Sequence, residues 1–122
     1  MVDHIGLNVQ DLAASIRFYE AALAPLGHEL GSHDDTYAGL GPKGAPALWL
    51  YAARGAQGVQ GPGMHIAFRA PDHQAVDAFY QAGLKAGAKD NGGPGPRPDY
   101  SPTYYAAFLI DPDGNNVEAV CP

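Results

Sequence analysis

Polar and apolar positions alternate from the first residues of the chain. In VDHIGLNV (2–9), Ile5, Leu7 and Val9 share one strand face, while Val2, His4, Gly6 and Asn8 share the other. The apolar set predicts a β-strand facing a core, with His4 turned away from it. The period then changes. Leu12, Ile16, Tyr19, Leu23 and Leu26 recur at helical spacing, Asp11 is placed to cap, and Pro25 and Gly27 mark the end. Strand-like runs follow at about 28–32, 35–40 and 46–53. RGAQGVQGPG (54–63) is turn-like throughout and reads as a linker. Beyond it, MHIAF predicts a second strand, with Ile66 and Phe68 facing a helix. That helix is capped by Asp72, carries Val76, Tyr80 and Leu84 as its apolar stripe, and ends at Gly87. Runs at about 88–91, 103–110 and 115–121 complete the chain. Between them, NGGPGPRPDYSPT (91–103) holds four prolines and three glycines, which predicts irregular structure, either a lid or a mobile insertion.

The two halves repeat. HIGLNVQDLAASIRFYEAAL from His4 and HIAFRAPDHQAVDAFYQAGL from His65 align without a gap at an offset of 61. Eight positions are identical: His4/His65, Ile5/Ile66, Asp11/Asp72, Ala14/Ala75, Phe18/Phe79, Tyr19/Tyr80, Ala21/Ala82 and Leu23/Leu84. Each half reads as strand, helix, three strands. The organisation expected is one domain over 1–122, with modules at about 1–53 and 64–122. The Phe-Tyr pairs are expected to seat each helix on its sheet.

Composition narrows the classes. The chain has 122 residues, 46% of them hydrophobic, enough for a core of its own. The net charge of −6 and the absence of a basic run argue against nucleic acid. No apolar stretch approaches a membrane span, and the start has no signal-peptide pattern. Cys121 is the sole cysteine, so no internal disulfide forms and a reduced, cytoplasmic setting is the default. Charged residues are only 16%, which leaves surface that an oligomer interface could cover.

The repeat places His4 and His65 at equivalent positions, both facing away from their helices. Glu118 lies in NNVEAV, an otherwise apolar last strand, after the turn DPDGN (111–115). A carboxylate buried there needs a partner or a metal. Two imidazoles and a carboxylate form a common divalent-metal set. Asp111, Asp113, Asn115 and Glu118 do not make a calcium loop, because Gly114 and the glutamate come too early. By strand parity Trp49, Tyr51, Tyr104, Ala106 and Phe108 face the same side, with Gly6 leaving room beside His4. Arg69 shares the face of His65 and could meet an anionic group. His28, His33 and His73 read as surface residues.

DHIGLNVQDLAASIRFYEAAL, MHIAF and DPDGNNVEAV, in that order, resemble the vicinal oxygen chelate superfamily. Its members include glyoxalase I, bleomycin-resistance proteins, fosfomycin-resistance enzymes and extradiol dioxygenases. The resemblance implies an α+β fold in which two βαβββ modules form a cupped mixed sheet, helices outside, around one divalent ion. It implies His4, His65 and Glu118 as ligands, the ion being zinc, nickel, manganese, cobalt or iron(II). It also implies a homodimer in which His4 of one chain can join His65 and Glu118 of the other.

The departures concern the subfamily. Trp49 aligns with Glu118, where glyoxalase I carries an acidic ligand. Phe108 stands where extradiol and fosfomycin-resistance enzymes carry tyrosine, and Ala106 where the latter carry serine. The activity implied is a glyoxalase-like lyase or isomerase on a small organic molecule. The metal would act as Lewis acid, and Glu118 could also move a proton. Trp49, Tyr51, Tyr104, Phe108 and Arg69 are the expected substrate contacts. The rivals are a metal-free sequestering protein of the bleomycin-resistance type, stacking a planar ligand on Trp49, Tyr104 and Phe108, a dioxygenase, and an interaction domain with a relic site.

Overall fold

A computed structural model describes residues 1–53 and 64–122, so the expected linker 54–63 lies outside the described residues. Strand β1 (Ile5–Val9) leads into helix α1 (Leu12–Leu23), whose first turn is closed by the Asp11 carboxylate accepting from the Ala14 amide at 3.0 Å. A short 3₁₀ turn ends at Gly27, and strands β2 (Glu29–His33), β3 (Tyr37–Gly41) and β4 (Leu48–Ala52) follow. The second half repeats the pattern. Strand β5 (His65–Arg69) precedes helix α2 (His73–Lys85), capped by Asp72 at 2.8 Å from the Ala75 amide. Then come β6 (Lys89–Asp90), β7 (Gly95–Pro96), β8 (Tyr105–Ile110) and β9 (Asn116–Cys121).

Each module builds its own mixed sheet. The first runs β1-β4-β3-β2 and the second β5-β9-β8-β6, with β1–β4 and β5–β9 the parallel pairs. The registers match: Gly6 lies opposite Trp49 and Ala67 opposite Glu118, each pair two residues along from its histidine. The alignment of Trp49 with Glu118 is therefore structural as well as sequential.

The helices join the modules. Phe18, Tyr19 and Leu23 of α1 and Val76 and Phe79 of α2 are buried in one core with Leu7, Val9, Leu40 and Leu50 of the first sheet and Leu109, Val117 and Ala119 of the second. The stripe on α2 differs from the expected Val76-Tyr80-Leu84. Phe79 and Gly83 are buried, whereas Tyr80 and Leu84 are half-buried. Gly83 explains the rotation. A Cβ there would collide with Leu109 Cδ1 and reach within 3.2 Å of Phe18 Cε1, so the bare backbone sets the closest approach of α2 to β8 and α1.

The DPDGN turn fastens the second module to α1. Asp111 accepts from the Tyr19 hydroxyl at 2.6 Å, from the Asp113 and Asn115 amides, and from Asn115 Nδ2. Asp113 accepts from the Gln10 amide and Ser15 hydroxyl. Burial, with the Asp111 charge adding to it, pushes the Tyr19 phenol well up, so it stays a donor. The acids of this turn are thus committed to the module junction.

Two expectations need correction. The 91–103 loop is not wholly irregular: Gly95 and Pro96 pair with Ala106 and Tyr105 as an edge strand, where proline's missing N–H costs nothing. His28 is not a plain surface residue. Its ring is half-buried, Nδ1 is enclosed without a partner, and burial lowers its pKa. It lines a cleft of about 300 Å³ that lies between the starts of β1 and β5 and includes Leu23, Ile66 and Phe68. His73 is exposed but stacks on Tyr105 at 3.9 Å. Among the described residues no helix is long and apolar enough to cross a membrane.

Candidate metal centre

Parallel pairing of β5 with β9 puts His65 and Glu118 on one face, and antiparallel pairing of β8 with β9 sets Phe108 directly beside Glu118. Glu118 is only 3% exposed, and its Oε2 lies 3.1 Å from His65 Nε2. Its other oxygen, Oε1, accepts from the Tyr104 hydroxyl at 2.5 Å. That bond, with some burial, pushes the Tyr104 phenol up to about 12. Tyr104 therefore holds the acid in place, a role its expected place among the stacking residues did not suggest.

The far side of His65 decides its tautomer. Nδ1 lies 3.2 Å from the Asn116 carbonyl oxygen, which can only accept, so Nδ1 carries the hydrogen. In the neutral ring Nε2 then presents a lone pair to a carboxylate oxygen. Two lone pairs at that distance repel unless a proton or a cation lies between them. An imidazole whose second N–H is pinned to a backbone carbonyl, aimed with a carboxylate at one point, is the usual second-shell arrangement of a metal ligand. On donor chemistry His65 and Glu118 fit a divalent cation.

His4 stands apart. It precedes β1, is more than half exposed, and its Nδ1 lies 2.6 Å from Asp3 Oδ1. Among the described residues no three His, Cys, Asp or Glu side chains converge closely enough to share an ion. The cause is topological. β1 and β5 are edge strands of separate sheets with the cleft between them, so one chain brings together His65 and Glu118 and leaves His4 outside.

The remaining expected contacts divide by module. The Trp49 ring lies against Gly39, where a Cβ would sit 2.7 Å from it, with the Tyr37 ring 6.2 Å away at a tilt. Tyr51 covers Gly6 in the same way at 2.9 Å. The space expected beside His4 is therefore filled by the Tyr51 ring. In the second module Phe108 stacks against His65 at 6.5 Å, Ala106 is buried, and Arg69 is exposed on the His65 face. Sequence reasoning passed over Arg97. Its guanidinium sits 5.4 Å from the Phe108 centroid. The signal for it was faint: it is the one basic residue in the 91–103 loop.

A family model described as the glyoxalase/bleomycin resistance protein/dioxygenase superfamily matches residues 1–119. The chain belongs to that superfamily. Among solved structures, a glyoxalase/bleomycin resistance protein from Albidiferax ferrireducens T118 is 30% identical, with a TM-score of 0.86 and 98% of each chain covered. A candidate glyoxalase from Bacillus halodurans is 26% identical, with a TM-score of 0.76 over 100% of this chain and 96% of that one. A glyoxalase-related enzyme from Fulvimarina pelagi shares the fold at 20% identity and a TM-score of 0.74, covering 98% of this chain and 86% of its own. No curated protein matches.

Proposed function

We propose that this superfamily member is a metal-dependent enzyme, of lyase or isomerase type, acting on a small organic molecule. The reading rests above all on His65, with Nδ1–H spent on the Asn116 carbonyl and Nε2 aimed at the buried Glu118 carboxylate. His65 and Glu118 would hold the ion, and His4 of a second copy would complete the set. Among the described residues β1 and β5 are both edge strands with unpaired outer edges, the kind of edge that a second copy covers. When bound, the divalent ion supplies Lewis-acid polarisation of a substrate oxygen.

The protein's own groups do the rest. Tyr104 fixes Glu118 Oε1, leaving Oε2 as the face that meets ligand or proton. Proton transfer by Glu118 Oε2 to or from a substrate atom near His65 competes with its holding the ion, and its burial keeps water from taking part. Phe108, beside His65, offers a flat ligand a ring to stack on, and Trp49 is the corresponding ring of the first module. The same rings support the rival reading, a metal-free protein that sequesters such a ligand.

Metal analysis of untagged protein purified without chelators separates the two. The expected result is near-stoichiometric divalent metal, lost in His65→Ala. Protein that is metal-free, and stays so with added zinc, nickel, manganese or iron(II), overturns the enzyme reading.

A further inference from the structure

We infer that Arg97 is a specificity-determining residue that selects an anionic substrate, a small molecule bearing a carboxylate or phosphonate. This inference rests on the reading of the face carrying His65 and Glu118 as a substrate site. The 91–103 loop folds back on β8 through the Gly95–Pro96 pairing, the Phe108 amide donating to the Gly92 carbonyl at 2.8 Å, and the Arg97 amide donating to the Tyr104 carbonyl at 2.7 Å. It thereby lies along β8 at the edge of the second sheet rather than as an outlying insertion. Arg97 stands there, half-buried, beside the ring that also faces His65.

Part of the guanidinium braces the loop. Nη1 donates to the Gly95 and Pro96 carbonyls and Nη2 to the Gly93 carbonyl. Those acceptors are neutral. Among the described residues no carboxylate lies within ion-pair distance of Arg97, although the chain carries a net charge of −6. The nearby Asp90 is occupied by the Tyr80 hydroxyl and the Gly92 amide. The guanidinium has five N–H groups in a planar fork, so Nε–H and part of Nη2 stay open.

They border a depression of about 320 Å³ lined by Asn91, Gly92, Arg97, Tyr100, Phe108 and Asn116. That lining holds one cation, a phenol, two carboxamides and no acid. A half-buried cation lacking a counter-ion, in a hollow without acids, takes up an oxyanion more readily than a neutral group. Phe108 lines this hollow and lies 6.5 Å from the His65 ring, and Asn116, which lines it too, holds His65 Nδ1 through its carbonyl, so a ligand anchored at Arg97 lies beside the His65–Glu118 pair.

The test uses the full, isotope-labelled chain in chelator. Benzoate, phenylphosphonate and neutral benzamide are titrated while the Arg97 Nε–H and Asn91 side-chain resonances are followed. A charge-assisted bond predicts that both anions bind at least about tenfold more tightly than benzamide and shift those two signals. Arg97→Gln should abolish the preference. Arg97→Lys keeps the charge but not the fork that braces the loop, and should retain most of it. Equal binding of benzamide and benzoate by the wild-type chain, anion shifts that leave Arg97 unmoved, or a Lys variant that fails like the Gln variant would each overturn the inference. Because the titration needs no metal, its outcome is independent of whether His65 and Glu118 bind one.

Discussion

Replacing Tyr104 by phenylalanine isolates what holds Glu118 in place. The substitution keeps the ring and its edge-on contact with Tyr100, and removes only the donor to Oε1. A hydrogen bond to a charged acceptor contributes about 1.5–3 kcal/mol net, and the half-buried phenol puts this one near the lower half, about 2 kcal/mol. In a domain of this size that is a fall in Tm of about 8 °C. The pH dependence gives the sharper test. The folded phenol is raised from an ordinary 10.0 to about 12. A raised folded value means that the stabilisation is complete below the unfolded value and is lost as pH climbs through the folded one. The gap between wild type and Tyr104→Phe should therefore be flat from neutral pH to just below 10, then close between about 10 and 12. Urea unfolding of the metal-free protein, followed by circular dichroism across that range, measures it. A variant within about 0.5 kcal/mol of wild type at pH 7, or a gap that widens in alkali, would refute the reasoning.

Two further predictions concern the shared site and its aromatic wall. His4→Ala and His65→Ala chains should each bind metal poorly. Refolded together, they should recover about a quarter of wild-type sites, because half of randomly paired dimers are mixed and each mixed dimer holds one intact site; no recovery would mean that a site is built within one chain. Gly39→Ala places a methyl 2.7 Å from the Trp49 ring. The ring should tilt away, shifting the emission of the chain's single tryptophan, at a cost of about 1–3 kcal/mol as the indole is displaced. Unchanged emission would show that Trp49 does not rest on Gly39.

Much of the scaffold was legible because it depends on period. The alternation in VDHIGLNV places Leu7 and Val9 in the core, and Asp11 and Asp72 cap as their spacing predicts. The repeat also carries the register that sets Trp49 and Glu118 at equivalent positions. What escaped depends on contacts between segments distant in sequence. The Phe-Tyr pair was expected to seat α2, but no local pattern reveals that Gly83 must be bare for α2 to approach β8 and α1. Nor does any indicate that Tyr51 fills the space left by Gly6, or that Tyr104 spends its hydroxyl on Glu118. The 91–103 loop misled for a related reason. Its prolines forbid a regular ladder but not a two-residue edge pairing held by an arginine fork.

The matched registers also explain why the halves contribute unequally. The row across the first sheet reads Gly6, Trp49, Gly39, and the same row across the second reads Ala67, Glu118, Phe108. In both, one aromatic ring lies over the strand next to the last of its module. In the first half that ring reaches there from Trp49, and Gly39 must be bare to admit it. In the second it grows from Phe108 itself, which frees the neighbouring position for an acid. Trp49 supplies from one strand the cover that Phe108 supplies from another, and it does so from the position equivalent to Glu118. The two halves therefore carry one aromatic cover each and a single acid between them, and the difference follows from which strand supplies the ring.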